Sequence, residues 1–266
     1  MTNLNDKVAV VFAASGAIAG AVAKSFAAHG AKVYVSARDL SAVRMLADDI
    51  KQNGGWAEAH QVDAMNETQI EDYIQKIVAD NGKLDIVFNG IGVRATESGY
   101  GTYTTQLSFE QFMKPIETHC GSQFLTSRVA AKFMMQSKSQ GTILTLTASL
   151  SRIKVPFMAG VTAACTAIEG LTRVMASEFG RAGIRVICIN PTAMAETRTI
   201  QETSMANAKA MGISIEEFAK MQGTSLLGKQ FTLTDMAEAA AFLVSDAGAV
   251  FNSHIVDVDF GAMSVI

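Results

Sequence analysis

The feature that most constrains this chain is an alternation. Short β-branched or aromatic runs recur at Val8–Phe12, Lys32–Ser36, Trp56–Val62, Leu84–Phe88, Thr142–Leu146, Arg185–Ile189 and Ile255–Val258, with helix-patterned stretches between them. In the first interval Ile18, Val22 and Phe26 fall at i, i+4 and i+8, a single buried stripe of a helix. Asn66 with Gln69, Ser108 with Gln111 and Ser214 with Glu217 have the spacing of capping boxes that start helices. Apolar strands that alternate with helices predict a parallel sheet covered on both faces and joined by right-handed crossovers. The expected architecture is α/β and doubly wound, with seven mainly parallel strands and ligands gathered beyond their C-terminal ends.

Composition narrows the classes. With 266 residues, 49% hydrophobic and 18% charged, the chain suits one domain, 1–266, with a sizeable buried core. A net charge of −3 without a basic run argues against nucleic acid as a partner. No apolar stretch approaches the roughly 18 residues of a membrane span. The opening MTNLNDKVAV passes straight into strand-like sequence rather than a leader. Three dispersed cysteines, Cys120, Cys165 and Cys188, make a poor disulfide framework and suit a reducing, cytoplasmic setting. No zinc-ligand cluster is visible, so no metal is expected. The connection 192–224 is unusually long and carries Met194, Met205, Met211 and Met221. It reads equally as a substrate lid, since methionine adapts to irregular apolar shapes, or as a segment packed at a subunit interface.

Several segments together resemble the short-chain dehydrogenase/reductase (SDR) family. They are DKVAVVFAASGAIAGAVAKSFAAHGAKVYVSAR, LDIVFNGIG, IEGLTRVMASEFGRAGIRVICINP and LTDMAEAAAFLVSDAGAVFNSHIVDVDFG, which span nearly the whole chain. The resemblance implies a Rossmann-type fold and a dinucleotide held on a Thr-Gly-x-x-x-Gly-x-Gly turn after the first strand. On that pattern this chain has Phe12, Ala13, Ala17 and Ala19, with Gly16 and Gly20 each one residue out of place. An alanine forced to positive φ costs about 1–2 kcal/mol, and a methyl at Ala17 would press on the phosphates. The implied cofactor-binding positions are Ala13, Ser15, Ile18, Arg38, Asp63, Asn89 and Gly92. Ala37 stands where NAD-preferring members place an acid, and Arg38 beside it suits a 2′-phosphate, so NADP(H) is the expected dinucleotide, its binding weakened or lost. For Arg38 the bland alternative is an exposed arginine opposite Asp39; for Asp63, a turn residue.

Family chemistry uses a tyrosine to exchange the proton, a lysine to lower its pKa, a serine to hold the oxygen and an asparagine one helix earlier. Aligned on IEGLTR, these positions fall on Val161, Cys165, Ala148 and His119. All four are replaced. Candidate substitutes are His119, Ser149 and Cys165, the histidine and cysteine as a thiol–imidazole pair or as plain core residues. Tyr100 and Tyr103, in ESGYGTYTT, offer a phenol or merely cover an edge. Phe157, Met158 and Val161 suit either a small apolar ligand or ordinary packing.

The expectation is a divergent SDR protein without ordinary dehydrogenase activity, acting as a non-catalytic subunit or through a repurposed pocket. The alternative is an atypical NADP(H)-dependent oxidoreductase acting on a carbonyl or alcohol with substitute residues. By resemblance, the helices at 108–137 and 156–180 and the C-terminal strand would build a homo-dimer or tetramer, or a hetero-oligomer with an active relative.

Overall fold

The structure, a computed structural model, describes residues 2–221 and 225–262, the side chain of Met221 excepted. Seven strands form one sheet: β1 Val8–Phe12, β2 Lys32–Ala37, β3 Trp56–Gln61, β4 Ile86–Asn89, β5 Gly141–Leu146, β6 Ile184–Pro191 and β7 Ile255–Val258. Their order is β3-β2-β1-β4-β5-β6-β7, and every pairing is parallel. The order reverses between β1 and β4, which opens a crevice above their C-terminal ends.

Residues alternate across the pleat. Ala9, Val11, Val33 and Val35 face one core, together with Val22 and Phe26 of α1 (Ala17–Ala28), Val43 of α2 (Leu40–Gln52) and Met236 of α9 (Leu233–Val244). Val8, Val10, Phe12 and Tyr34 face the other, with Ile74 of α3 (Glu67–Asn81) and Val129 of α5 (Gly121–Gln136). The Val22–Phe26 stripe is therefore the buried face of α1.

Boundaries differ from the sequence expectation where special residues intervene. The expected helix over 108–137 is divided into α4 (Phe109–Pro115), a π-helical turn at Ile116–Cys120, and α5. Pro115, which has no N–H to give the helix, stands where it widens. The second long helix, α6, runs Ala159–Phe179. Ser108–Gln111 and Ser214–Glu217 close reciprocal capping boxes. Asn66 accepts from Gln69 N at 3.1 Å, but Gln69 Oε1 takes Asp63 N instead, so only half of that box forms.

The long connection folds as α7 (Arg198–Met211) and α8 (Ile215–Met221). Met194 is buried in the core, whereas Met205 is exposed. Residues 222–224 and the Met221 side chain lie outside the described residues. α7 lies over the loop that follows β4, where Arg94 pairs with Glu202 at 3.1 Å.

Close approach at the crevice is set by a small-residue pair. Ala19, on the first turn of α1, lies so near Gly90 that a Cβ built there would come within 2.6 Å of the Ala19 Cβ. Gly90→Ala should cost about 1–3 kcal/mol in urea unfolding. Adding Ala19→Gly should recover most of the loss, a coupling that independent sites would not show.

Candidate active site

The turn from β1 to α1 is tight and has alanine where the family resemblance expects glycine. Ala13 holds φ +56°, a left-handed conformation that glycine adopts at no cost. Ala14 N donates to Ser36 O and Gly16 N to Ala13 O, both at 2.9 Å. Gly16 caps α1 with no side-chain bond, and Ser15, Gly16 and Ala17 are exposed. The first N–H groups of α1 thus present an uncapped positive helix end to the crevice. Phe12 is turned wholly into the layer beneath, edge-on to Tyr73 with ring centroids 5.8 Å apart. Its ring stays out of the crevice, and the Ala17 methyl remains at the rim.

The other residues expected at a nucleotide lie on α1 and at or just past the ends of β2, β3 and β4. Ile18 is half-buried. Arg38 is exposed and makes no ion pair among the described residues. Asp39 does not face it but caps α2, accepting from Ser41 N at 2.9 Å and Ala42 N at 3.3 Å. The Ser41 hydroxyl, followed by those two amides, holds the Asp39 carboxyl below its ordinary value. Asp63 accepts Met65 N at 3.0 Å, a turn contact that uses one of its oxygens. Asn89 fixes the end of β4: its Nδ2 donates to Thr126 Oγ1 at 3.0 Å, its Oδ1 accepts Ile91 N at 2.8 Å, and its carbonyl accepts Gln123 Nε2 at 2.9 Å. Gly92 is exposed, with open space around it.

Val161, Cys165 and Ala148, aligned in the sequence with the family's tyrosine, lysine and serine, belong to an apolar cluster. Val161 and Cys165 are buried with Val93 and Met158, and Ala148 and Tyr100 pack against them. Phe157, also buried, holds φ +66°, strain that marks the start of α6. Burial pushes the Cys165 thiol up to about 12, only partly offset by the Ala148 N–H at its sulfur. Ser149 opens a short 3-10 turn, and its carbonyl accepts from Arg152 N and Ile153 N.

His119 is buried within the π-helical turn, its Nε2 3.1 Å from Leu146 O. A carbonyl can only accept, so Nε2 carries the hydrogen and Nδ1 is left an acceptor. That Nδ1 has no partner, nor has Gln123 Oε1 four residues on. Burial lowers the imidazole to about 4 against the opposing Leu146 bond, so the ring is neutral near pH 7. No hydrogen bond joins His119 to Cys165 among the described residues. Their shifts also run opposite to those of a thiolate–imidazolium pair, which would lower the thiol and raise the imidazole. Sequence reasoning missed two buried polar groups under α7: Ser98 Oγ and both side-chain polar atoms of Asn207 lack partners. Asn207 shares the inner face of α7 with Thr203, a spacing visible in the sequence.

Among the described residues there is no group of metal-ligating side chains and no helix long and apolar enough to cross a membrane. The family model described as enoyl-(acyl carrier protein) reductase matches residues 12–263. The mitochondrial borneol dehydrogenase of Lavandula x intermedia is 30% identical, the match covering 98% of this chain and 92% of that protein. A short-chain type dehydrogenase/reductase of Picea abies is 29% identical over 97% of this chain and 93% of its own. A crystal structure of a dehydrogenase/reductase from Sinorhizobium meliloti shares the fold, with a TM-score of 0.82 at 23% identity, covering 98% of this chain and 96% of that one.

Two measurements probe this wall. A thiol reagent should label native Cys120, which is only half-buried, and leave Cys165 and Cys188 unmodified until the chain unfolds. Because the folded value of His119 lies below the unfolded value near about 6.5, its stabilising contribution is complete above that pH. It is lost as pH falls through the folded value of about 4. His119→Asn should therefore flatten the stability profile in that window, by up to roughly 3 kcal/mol relative to wild type.

Proposed function

Because the chain belongs to the short-chain dehydrogenase/reductase family of oxidoreductases, we propose that it keeps a dinucleotide groove, preferring NADP(H), and has given up ordinary alcohol dehydrogenation. One observation carries this reading: the positions that would hold the base and its lysine, Val161 and Cys165, are packed into an apolar wall. An alcohol bound there would meet no group able to take its proton at neutral pH. His119 is neutral, but its Nε2 hydrogen goes to Leu146 O and its free Nδ1 is buried, and the Cys165 thiol is held far from ionisation.

The groove itself fits a dinucleotide. Ala13 keeps the left-handed turn, the end of α1 is uncapped and exposed, and the Phe12 ring is withdrawn. The amides of α1 with Ser15 would take the pyrophosphate, and Arg38, with no acidic neighbour engaging it, the 2′-phosphate. Asp63 and Ile18 would border the adenosine half, and Asn89 and Gly92 the nicotinamide half. The Ala17 methyl at the rim weakens this binding relative to a glycine. A bound nicotinamide would supply hydride chemistry; the chain's residues supply position and the exclusion of water.

The second reading, an atypical NADP(H)-dependent oxidoreductase acting on a carbonyl or alcohol, is favoured by relatives named as dehydrogenases and reductases and by the Tyr100 phenol beside the vacated positions. In either case the partners are a small apolar molecule and further SDR chains. Exposed Phe124 on α5 and Val174 on α6 suit a homo-dimer or tetramer, or a hetero-oligomer with an active relative. Three free cysteines suit a reducing cytoplasm.

Calorimetric titration should show NADPH binding more tightly than NADH, with Arg38→Ala erasing about tenfold of the difference. NADP+ with simple secondary alcohols should give no turnover. Equal affinity for the two dinucleotides, or alcohol oxidation at ordinary rates, would count against the reading.

A further inference from the structure

Three Asn-Gly steps occur in the chain, at Asn53–Gly54, Asn81–Gly82 and Asn89–Gly90. Each carries the same latent chemistry. The glycine nitrogen, giving its proton to solvent hydroxide, attacks the asparagine Cγ. A C–N bond closes a cyclic imide, the Cγ–Nδ2 bond breaks, and ammonia leaves. Water then opens the imide at either carbonyl to give aspartate or isoaspartate, and no oxidant or reductant takes part. Glycine permits the attack because no side chain shields its nitrogen.

The structure separates the three steps by what must break first. Asn89 is buried, its Nδ2 bonded to Thr126 Oγ1 at 3.0 Å and its Oδ1 to Ile91 N at 2.8 Å. The Gly90 N–H is engaged by Phe12 O at 3.2 Å. Asn81 is held at three points: Lys32 Nζ donates to its Oδ1 at 2.7 Å, and its Nδ2 donates to Tyr34 Oη at 2.8 Å and Ile77 O at 2.7 Å. Asn53 is exposed and ends α2. Its Nδ2 bonds only within its own last turn, to Asp49 O at 2.8 Å and Asp49 Oδ1 at 3.3 Å. Gly54, also exposed, sits at φ +83° with open space around it and returns its N–H to Lys51 O at 3.0 Å. Ring closure must turn the Gly54 nitrogen toward the Cβ of Asn53, away from the present ψ of 15°. At Asn53 that motion opens one helix end, the part of a helix that frays most readily.

We infer that Asn53 is the site of spontaneous deamidation in this chain, a modification that places aspartate or isoaspartate at the C-terminal end of α2. An anion there opposes the helix dipole. It also adds to Asp48 and Asp49, which already face Lys51 at 4.0 Å and Lys24 at 2.6 Å. Isoaspartate lengthens the main chain just ahead of Gly55, where a Cβ would come within 2.9 Å of Ile50 Cγ2 and 3.0 Å of Ala27 Cβ. The change loosens the entry to the edge strand β3. It lies at the opposite end of α2 from Arg38 and Asp39, so it is independent of the dinucleotide reading.

The test incubates the full native chain in mildly alkaline buffer made with heavy-oxygen water and follows each asparagine by peptide mass spectrometry, with enzymatic isoaspartyl methylation as a second readout. Asn53 should convert at least about tenfold faster than Asn81 or Asn89, whose bonds must open first. In urea, where those bonds are gone, the three rates should converge. Asn53→Gln should remove the fast conversion. The isoaspartate form, separated from the parent chain, should unfold at a lower urea concentration. A native chain in which Asn81 or Asn89 reacts as fast, or in which Asn53 stays intact while the urea-unfolded chain reacts there, overturns the assignment. Equal urea stability of the two forms overturns the consequence drawn for β3.

Discussion

The contact of Ala19 with Gly90 fixes how closely α1 lies on the sheet, and the crevice inherits its shape from that contact. The helix begins where the strand order reverses, so the spacing between its first turn and the end of β4 sets the width of any ligand groove there. A methyl on α1 is tolerated because the strand side has none. Ala13 then bends the chain into α1 through a left-handed conformation that costs about 1–2 kcal/mol in an alanine. Bonds from Ala14 N to Ser36 O and from Gly16 N to Ala13 O hold that bend closed.

On the far wall, apolar packing dominates. Val161, Cys165 and Ala148 cohere with Val93 and Met158, and burial keeps the cysteine a thiol. Polar atoms remain near this wall but are turned elsewhere: the His119 Nε2 hydrogen goes to Leu146 O, and Asn89 is engaged at both ends of its amide. Other buried polar atoms are left without partners: His119 Nδ1 and Gln123 Oε1 beside this wall, and Ser98 Oγ and the Asn207 amide in the loop after β4 and on α7.

Individual residues show how much could be read in advance. The strands at Val8–Phe12 and Ile255–Val258 fall where their β-branched runs do, because a strand buried on both faces must be continuously apolar. The Ser108 and Ser214 boxes are local, so four residues suffice to specify them. Gln69 departs from that pattern because Asp63 N, six residues away, offers its side chain another partner. The width of the helix at 116–120 depends on Pro115 together with the wall it leans against, and no periodicity announces it.

The sequence by itself determined the alternation of strands and helices, the parallel sheet, and which residues, His119, Ala148, Val161 and Cys165, stand where the family resemblance expects its proton-transfer groups. Those follow from patterns within reach of a few residues or from identities at fixed positions. Only the tertiary structure decided that Phe12 turns away from the crevice, that Arg38 stands apart from Asp39, and that Tyr100 rather than Tyr103 packs against Val161 and Cys165. Each of these depends on which distant surface a side chain packs against, and a chain's order along its length does not carry that distance in space.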